Sequence, residues 1–223
     1  MSASQTTPTL YRVLSWVVTL AVPVSLVLTS VRLLMTSAFL TFEYNTPNFP
    51  EDRYGFTKED RLYWSNIAVD YLLNDEGISF LSDLKFPDGS PFYNERELRH
   101  MLDVKNTVNG ALTVWYISLG LLAVLGVWAW LGKWWPDYRH GLARGGLISA
   151  WLVGLLILFV LVSFGVLFVA FHNIFFAAGT WMFEYSDSLI RLFPERFWRD
   201  IFILVGVLTL AGGLALYFVF RRK

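Results

Sequence analysis

The amino-acid sequence predicts an all-α, polytopic membrane protein with four transmembrane helices and a partly helical extracytoplasmic loop domain. Two observations carry this prediction. Of the 223 residues, 55% are apolar and only 16% are charged, well below the ~25% that is usual in soluble domains. Four stretches are also apolar over the roughly 20 residues that a helix needs to cross a ~30 Å hydrocarbon core. A soluble domain of this size has no interior large enough for so much apolar surface.

The four predicted spans belong to a single integral membrane domain that covers residues 1–223. The first is bracketed by Arg12 and Arg32 and is longer than the usual 7–15 residue core of a signal peptide, so we predict an uncleaved anchor. The second and third contain no charged residue, and an Arg-Arg-Lys sequence closes the fourth. The predicted spans are about residues 13–31, 108–132, 147–171 and 201–220.

The distribution of basic residues predicts the orientation in the membrane. The segment between the second and third spans carries Lys133, Arg139 and Arg144 against one acid, Asp137. The positive-inside rule predicts that this segment and the basic C-terminus are cytoplasmic. With four spans, the N-terminus is then cytoplasmic as well, and the loops of residues 43–107 and 172–200 face outward.

Both outward loops contain signals of local structure. Thr57 and Asp60 have the spacing of a capping box, and apolar residues recur behind them at helical intervals. Asn94 precedes Glu97 at the same spacing, at the start of a helix that we predict to run directly into the second span.

Two of the three histidines are candidates for chemistry. His100 and His172 lie near the outer ends of adjacent predicted spans, so their side chains are expected at similar depth and could face each other. Imidazole can give and take protons near pH 7. The alternative is that each is simply a polar residue at a helix end. His140 lies in the basic cytoplasmic segment, where we predict a solvated loop residue.

Several polar residues near these histidines are candidates for supporting roles. Asp103 lies one turn after His100 and could orient its imidazole, or it could pair with Arg99 instead. Asn173 could donate a hydrogen bond to a developing oxyanion. Arg32 lies at the outer end of the first span, where snorkelling to lipid headgroups is the alternative role.

The sequence argues against several other classes of protein. It contains no cysteine, which removes thiolate nucleophiles and cysteine metal sites, and its zero net charge gives no indication of nucleic-acid binding. It has no GxSxG, HExxH or Walker motif. A transporter is disfavoured because no predicted span carries a charge at mid-depth. Two alternatives stay open: a haem protein with the two histidines as axial ligands, and a non-catalytic assembly or binding protein.

Three segments together carry a resemblance to a known family. They are residues 94–105 (NERELRHMLDVK), 171–176 (FHNIFF) and 187–198 (DSLIRLFPERFW), with Trp181 between the last two. This combination resembles the bacterial lipoprotein intramolecular transacylase (Lit) family over nearly the whole chain.

The resemblance implies a reaction on the outer leaflet of the bacterial cytoplasmic membrane. The implied substrate is a lipoprotein whose N-terminal cysteine carries an S-diacylglyceryl group. The enzyme would move the sn-2 acyl chain to the cysteine α-amino group, giving the lyso-form lipoprotein, with His100 and His172 as the catalytic pair and with no metal or cofactor. We expect membrane lipid around a monomer. The residues predicted to support catalysis or bind substrate are Asp103, Asn173, Arg32, Trp181, Asp187 and Arg191, the last two being spaced to pair at i,i+4.

The residue types suit this chemistry. The attacking amine has a pKa near ~8 and must lose a proton, the tetrahedral intermediate needs a donor for its oxyanion, and the glycerol oxygen needs a proton to leave. Two histidines can share these duties, although the sequence does not assign the base. Both reacting groups belong to one molecule, so proximity supplies much of the rate and no covalent enzyme intermediate is required.

Overall fold

The computed structural model describes residues 9–221, and this part of the chain is helical with no strand. One isolated antiparallel bridge joins Lys85 and Pro91. The predicted all-α class is therefore confirmed. The eight helices are α1 (Thr9–Leu34), α2 (Ser37–Tyr44), α3 (Lys58–Leu73), α4 (Ser79–Ser82), α5 (Glu95–Leu131), α6 (Trp135–Phe175), α7 (Ser188–Leu192) and α8 (Glu195–Phe220).

Within the described residues, four helices are long and apolar enough to cross a membrane, namely α1, α5, α6 and α8. They cover the four predicted spans except for residue 132, since α5 ends at Leu131, and each helix begins before its predicted span. The predicted continuation of the second span toward Asn94 is confirmed, because α5 begins at Glu95. The predicted cytoplasmic loop before the third span was wrong in part. Residues from Trp135 onward are helical, so His140 lies on α6 and not in a loop.

The reason for this difference is that hydropathy detects the lipid-facing part of a helix and not its ends. Pro136 occupies the first turn of α6, where a missing amide hydrogen leaves no intrahelical bond unmade. Polar residues after it continue the helix. Farther along α6, Ser163 has a non-helical backbone (φ −154°, ψ 65°) that interrupts the regular geometry.

The described part of the chain divides into two compact units, of which the first contains residues 9–31, 113–158 and 204–221. Its apolar core centres on Val18, Val22, Trp134 and Tyr138. Helices of this unit approach one another closely because glycines lie where they meet. A Cβ atom on Gly145 would lie only 2.6 Å from the Cβ atom of Val22. Small residues at helix contacts are the usual means by which membrane helices pack.

The second unit contains Arg32–Leu112 and Phe159–Ile203, and it includes both candidate histidines. Its α3 begins with the predicted capping box, since the Thr57 hydroxyl accepts from the Asp60 amide and the Asp60 carboxylate accepts from the Thr57 amide. Behind this start, the buried ring of Phe92 stacks on Trp64, with ring centroids 4.1 Å apart, and on Phe56 at 5.8 Å.

Long-range hydrogen bonds fix α7 in this second unit. The Glu97 carboxylate accepts from the amide of Asn94 at 2.8 Å, as a capping box predicts, and its other oxygen accepts from the amide of Leu189 at 2.8 Å. The Tyr44 hydroxyl donates to the carbonyl of Leu192 at 2.7 Å. Both ends of α7 are therefore tied to α5 and α2, which limits how residues 176–187 can lie.

Candidate active site

The two histidines predicted to carry the chemistry, His100 and His172, lie side by side in the second unit. His100 is in the second turn of α5, and His172 is in the last turn of α6. Their ring centroids are 6.3 Å apart, and the ring planes differ by 20°. Only 8% of His100 and 7% of His172 is exposed. A single small group beside both rings would lie within hydrogen-bonding reach of each.

Aromatic side chains enclose this pair. The ring centroid of Phe176 lies 4.9 Å from that of His100 and 5.6 Å from that of His172. Phe183 contacts His100 at 5.2 Å, and Trp181 contacts His172 at 4.7 Å. These rings keep water from the imidazoles and lower the local dielectric, which strengthens any hydrogen bond made there.

The hydrogen bond of His172 fixes which of its nitrogens carries a proton. Its Nδ1 lies 2.8 Å from the carbonyl oxygen of Phe168, one turn earlier on α6. A carbonyl only accepts, so Nδ1 must be the protonated nitrogen and the lone pair of the neutral ring sits on Nε2. The buried Nδ1 of His100 has no hydrogen-bond partner among the described residues.

The segment that carries Phe183 is held in place by Asp187. The Asp187 carboxylate accepts from the Arg96 guanidinium at 2.9 Å, from the Asn94 side chain at 3.0 Å and from the Glu184 amide at 2.9 Å. The same guanidinium lies 5.6 Å from the centre of the Phe183 ring. Asp187 thus joins the loop after α6 to the first turn of α5, close to His100.

The predicted ion pair between Asp187 and Arg191 is wrong. Arg191 bonds to Asp52, with its Nη2 3.0 Å and its Nε 3.2 Å from the carboxylate, and it stacks 3.4 Å from the centre of the Phe56 ring. Burial alone would raise the pKa of Asp52, but the bonds from Arg191 and from the Phe56 and Tyr54 amides hold it below its ordinary value. Asp187, four residues before Arg191, was available as a partner, but the buried carboxylate of Asp52 accepts from two nitrogens of the guanidinium, which is the stronger arrangement.

Three other predicted supporting residues make no hydrogen bond to the imidazoles among the described residues. Asp103 and Asn173 are exposed, and the recorded hydrogen bonds of His100 and His172 include neither side chain. Arg32 is half-buried, and its guanidinium donates to the nearby carbonyl of Met35 at 3.3 Å. In residues 9–221 there is no group of three or more histidine and acidic residues able to hold a metal ion.

Several contacts of the site were not predicted from the sequence. The contact of Phe168 could have been inferred from the sequence, because Phe168 precedes His172 by four residues and so lies on the same helix face. Phe183 has no such signal, because it lies in an irregular segment and reaches His100 only through the fold.

Fold and site together define a multi-pass helical membrane protein with two buried imidazoles inside an aromatic enclosure. A model of the family described as lipoprotein intramolecular transacylase Lit matches residues 16–198. The chain therefore belongs to the Lit family, whose members are acyltransferases that act on lipoproteins.

Individual proteins share the fold or part of the sequence. The in meso structure of the membrane integral lipoprotein intramolecular transacylase Lit from Bacillus cereus superposes with a TM-score of 0.81 at 21% identity, covering 96% of both chains. A structure of a histidine variant of that protein gives a TM-score of 0.74, covering 95% of this chain and 91% of that one, also at 21% identity. An uncharacterized protein of Aquifex aeolicus (strain VF5) is 29% identical over 196 residues, which are 85% of this chain and 84% of that protein.

Proposed function

We propose that this protein moves the sn-2 acyl chain of an S-diacylglyceryl-cysteine lipoprotein to the α-amino group of the same cysteine, releasing the lyso-form product. The observation that carries the proposal is the pair of imidazoles 6.3 Å apart inside one apolar enclosure. Two neighbouring, buried proton-transfer groups are what an ester-to-amide exchange needs. Family membership favours this function over a haem protein or a non-catalytic assembly protein.

In this mechanism His172 is the general base. Its Nδ1–H is held by the Phe168 carbonyl, so Nε2 presents a lone pair and cannot rotate away without breaking that bond. A fixed hydrogen bond on one ring nitrogen is how histidine bases are commonly oriented. Nε2 takes the proton from the cysteine α-amino group as that nitrogen attacks the ester carbonyl carbon.

His100 is the acid partner in the same scheme. The new C–N bond forms while the carbonyl π electrons move to oxygen and give a tetrahedral oxyanion. When this intermediate collapses, the bond between the acyl carbon and the glycerol oxygen breaks. His100 donates its N–H proton to that oxygen and takes up the proton held by His172, so both imidazoles return to the neutral state. Ester and amine become amide and alcohol, with no net proton consumed.

The aromatic enclosure keeps the reaction intramolecular. Phe176 and Phe183 cover His100, and Trp181 covers His172, so water has little access to the activated ester. Exclusion of water suppresses hydrolysis, the competing reaction. The amine and the ester belong to one substrate, so the site needs only to hold them in contact. We propose that the enzyme acts as a monomer.

The site is proposed to face outward from the bacterial cytoplasmic membrane, with both termini cytoplasmic. The basic residues Lys133, Arg139 and Arg144 lie around the link between α5 and α6, which the positive-inside rule assigns to the cytoplasm. The 37 residues of α5 make a helix about 55 Å long. His100, near its other end, then lies toward the outer surface, where lipoprotein substrates are found.

Expression in a bacterial strain that lacks this activity tests the proposal, with mass spectrometry of lipoprotein N-termini as the assay. We expect the unaltered chain to give N-acyl-S-monoacylglyceryl peptides, and His100→Ala and His172→Ala each to abolish them. His140→Ala is the matched control, since His140 is an exposed histidine on α6 outside the site. Full product from either site variant would remove that histidine from the mechanism.

A further inference from the structure

Trp181 holds a buried hydrogen-bond donor next to the proposed base. Its indole centroid lies 4.7 Å from that of His172, with the ring planes 39° apart, and 6.3 Å from that of Phe168. The Nε1 atom is inaccessible to solvent and has no hydrogen-bond partner among the described residues. Indole nitrogen only donates, so an oxygen atom is the kind of partner it lacks.

An unmade bond of this kind is unfavourable. A buried donor without an acceptor costs about 1–3 kcal/mol, and groups left in this state in native structures call for a functional explanation. Two other indoles of the chain serve for comparison. Trp115 donates to the hydroxyl of Thr29 at 2.9 Å. Trp134 is also unpartnered, but it stacks on Tyr11 in the core of the first unit, where no histidine contact is recorded.

We propose that the indole N–H of Trp181 donates to the carbonyl oxygen of the ester under attack and stabilises the oxyanion that forms there. This inference rests on the proposed transacylase function. An ester bound beside His172 also lies close to the Trp181 ring, because the indole contacts that imidazole. A donor that is already in place and already desolvated requires no reorganisation when charge develops, which is the condition for effective oxyanion stabilisation.

The structure also favours Trp181 over Asn173 for this role. Asn173 is exposed. Trp181 is fixed by ring contacts with His172 and Phe168. Trp181 is therefore assigned as a catalytic residue that touches the reacting carbonyl, in addition to packing against the base.

Substitution Trp181→Phe, which removes the donor and shortens the ring system, tests the assignment with purified enzyme and a synthetic diacylglyceryl lipopeptide. We expect kcat to fall about 100-fold, with KM changed less than about twofold, because the bond strengthens in the transition state. Trp198→Phe is the matched control, since Trp198 also contacts Phe168, at 6.4 Å, within the same unit. Its kcat should stay close to that of the unaltered enzyme.

A second variant separates the donor from the ring. Incorporation of the benzothiophene analogue of tryptophan at position 181 keeps the bicyclic shape and removes only the N–H. We expect the same loss in kcat as in Trp181→Phe, with thermal stability no lower than that of the unaltered enzyme, because the variant removes a buried donor that has no acceptor. Wild-type kcat in this variant would overturn the proposal and leave Trp181 as a packing residue for His172. If the unaltered enzyme itself gave no lyso-form product, the proposed function would fail instead, so the two failures are distinguishable.

Discussion

Replacement of Arg191 by methionine removes the buried ion pair that joins α7 to residues 50–56. The Arg191 guanidinium makes contacts of 3.0, 3.2 and 3.3 Å with the Asp52 carboxylate, and the two side chains are 11% and 3% exposed. It also stacks on Phe56. Methionine keeps much of the apolar stem but leaves the carboxylate without its cation.

The expected loss of stability follows from this burial. Removing one partner of a buried ion pair costs about 3–5 kcal/mol, because the remaining charge is left unpaired. For a chain of this size, 1 kcal/mol corresponds to about 2–4 °C in the melting temperature, so Arg191→Met should lower it by at least about 6 °C. The matched control is Arg199→Met, since Arg199 meets Asp200 at 3.5 Å and is 47% exposed. Exposed pairs contribute about 0–1 kcal/mol.

A double-mutant cycle identifies the partner of Arg191. Thermal unfolding in detergent would be followed by tryptophan fluorescence for Arg191→Met, Asp52→Asn, Asp187→Asn and the two double variants. We expect strong non-additivity between Arg191 and Asp52, and near-additivity between Arg191 and Asp187, because Asp187 bonds to Arg96 instead. Strong coupling between Arg191 and Asp187, with none to Asp52, would refute this reasoning.

The same ion pair predicts a loss of stability in acid. The pKa of Asp52 is held below its ordinary value by Arg191 and two backbone amides, against the effect of burial. A carboxylate with a lowered folded-state pKa stabilises the fold above its unfolded pKa of about 4. That contribution disappears as the pH falls through the folded value. Arg191→Met should therefore show less acid destabilisation below about pH 4 than the unaltered chain.

Two further substitutions test other parts of the structure. Burial raises the pKa of Glu43 to about 7, with added repulsion from Asp200, so its stabilising neutral form is lost as the pH rises through 7. Glu43→Gln should stabilise the protein by about 1–2 kcal/mol at pH 8.5, which is less than the ~3 kcal/mol equivalent to the pKa shift because Asp200 is partly exposed. The same substitution should have little effect at pH 5. Equal effects at both pH values would contradict this reasoning. Gly145→Ala should cost about 1–3 kcal/mol through contact with Val22, whereas Gly154→Ala, where a Cβ meets nothing within 4 Å, should be nearly neutral in the same melting assay.

Features set by neighbouring residues could be predicted from the sequence. The capping boxes at Thr57 and Asn94 depend on side chains three residues apart, and both form as predicted. The four apolar helices follow from hydropathy in the same way. The proximity of His100 and His172 was predicted from their shared depth, since the ends of adjacent antiparallel helices lie near each other.

Features set by distant residues could not be predicted. The partner of Arg191 lies 139 positions away, and no local rule favours Asp52 over the closer Asp187. The enclosure of the imidazoles depends on Trp181, which only the family resemblance indicated, and on Phe183, which was not predicted. Both lie in an irregular segment without periodicity. The sequence also left the base unassigned, because the hydrogen bond from His172 to Phe168 depends on the rotamer adopted in the folded helix.

The most direct measurement is acyl-chain tracing with the purified protein. The substrate is a synthetic lipopeptide with an isotopic label in its sn-2 chain, mixed with an equal amount of a second lipopeptide of different peptide mass and no label. We expect the label only on the α-amino group of the peptide that began with it, and no transfer by His172→Ala. Label on the other peptide, or transfer at the normal rate by His172→Ala, would contradict a paired-histidine intramolecular site.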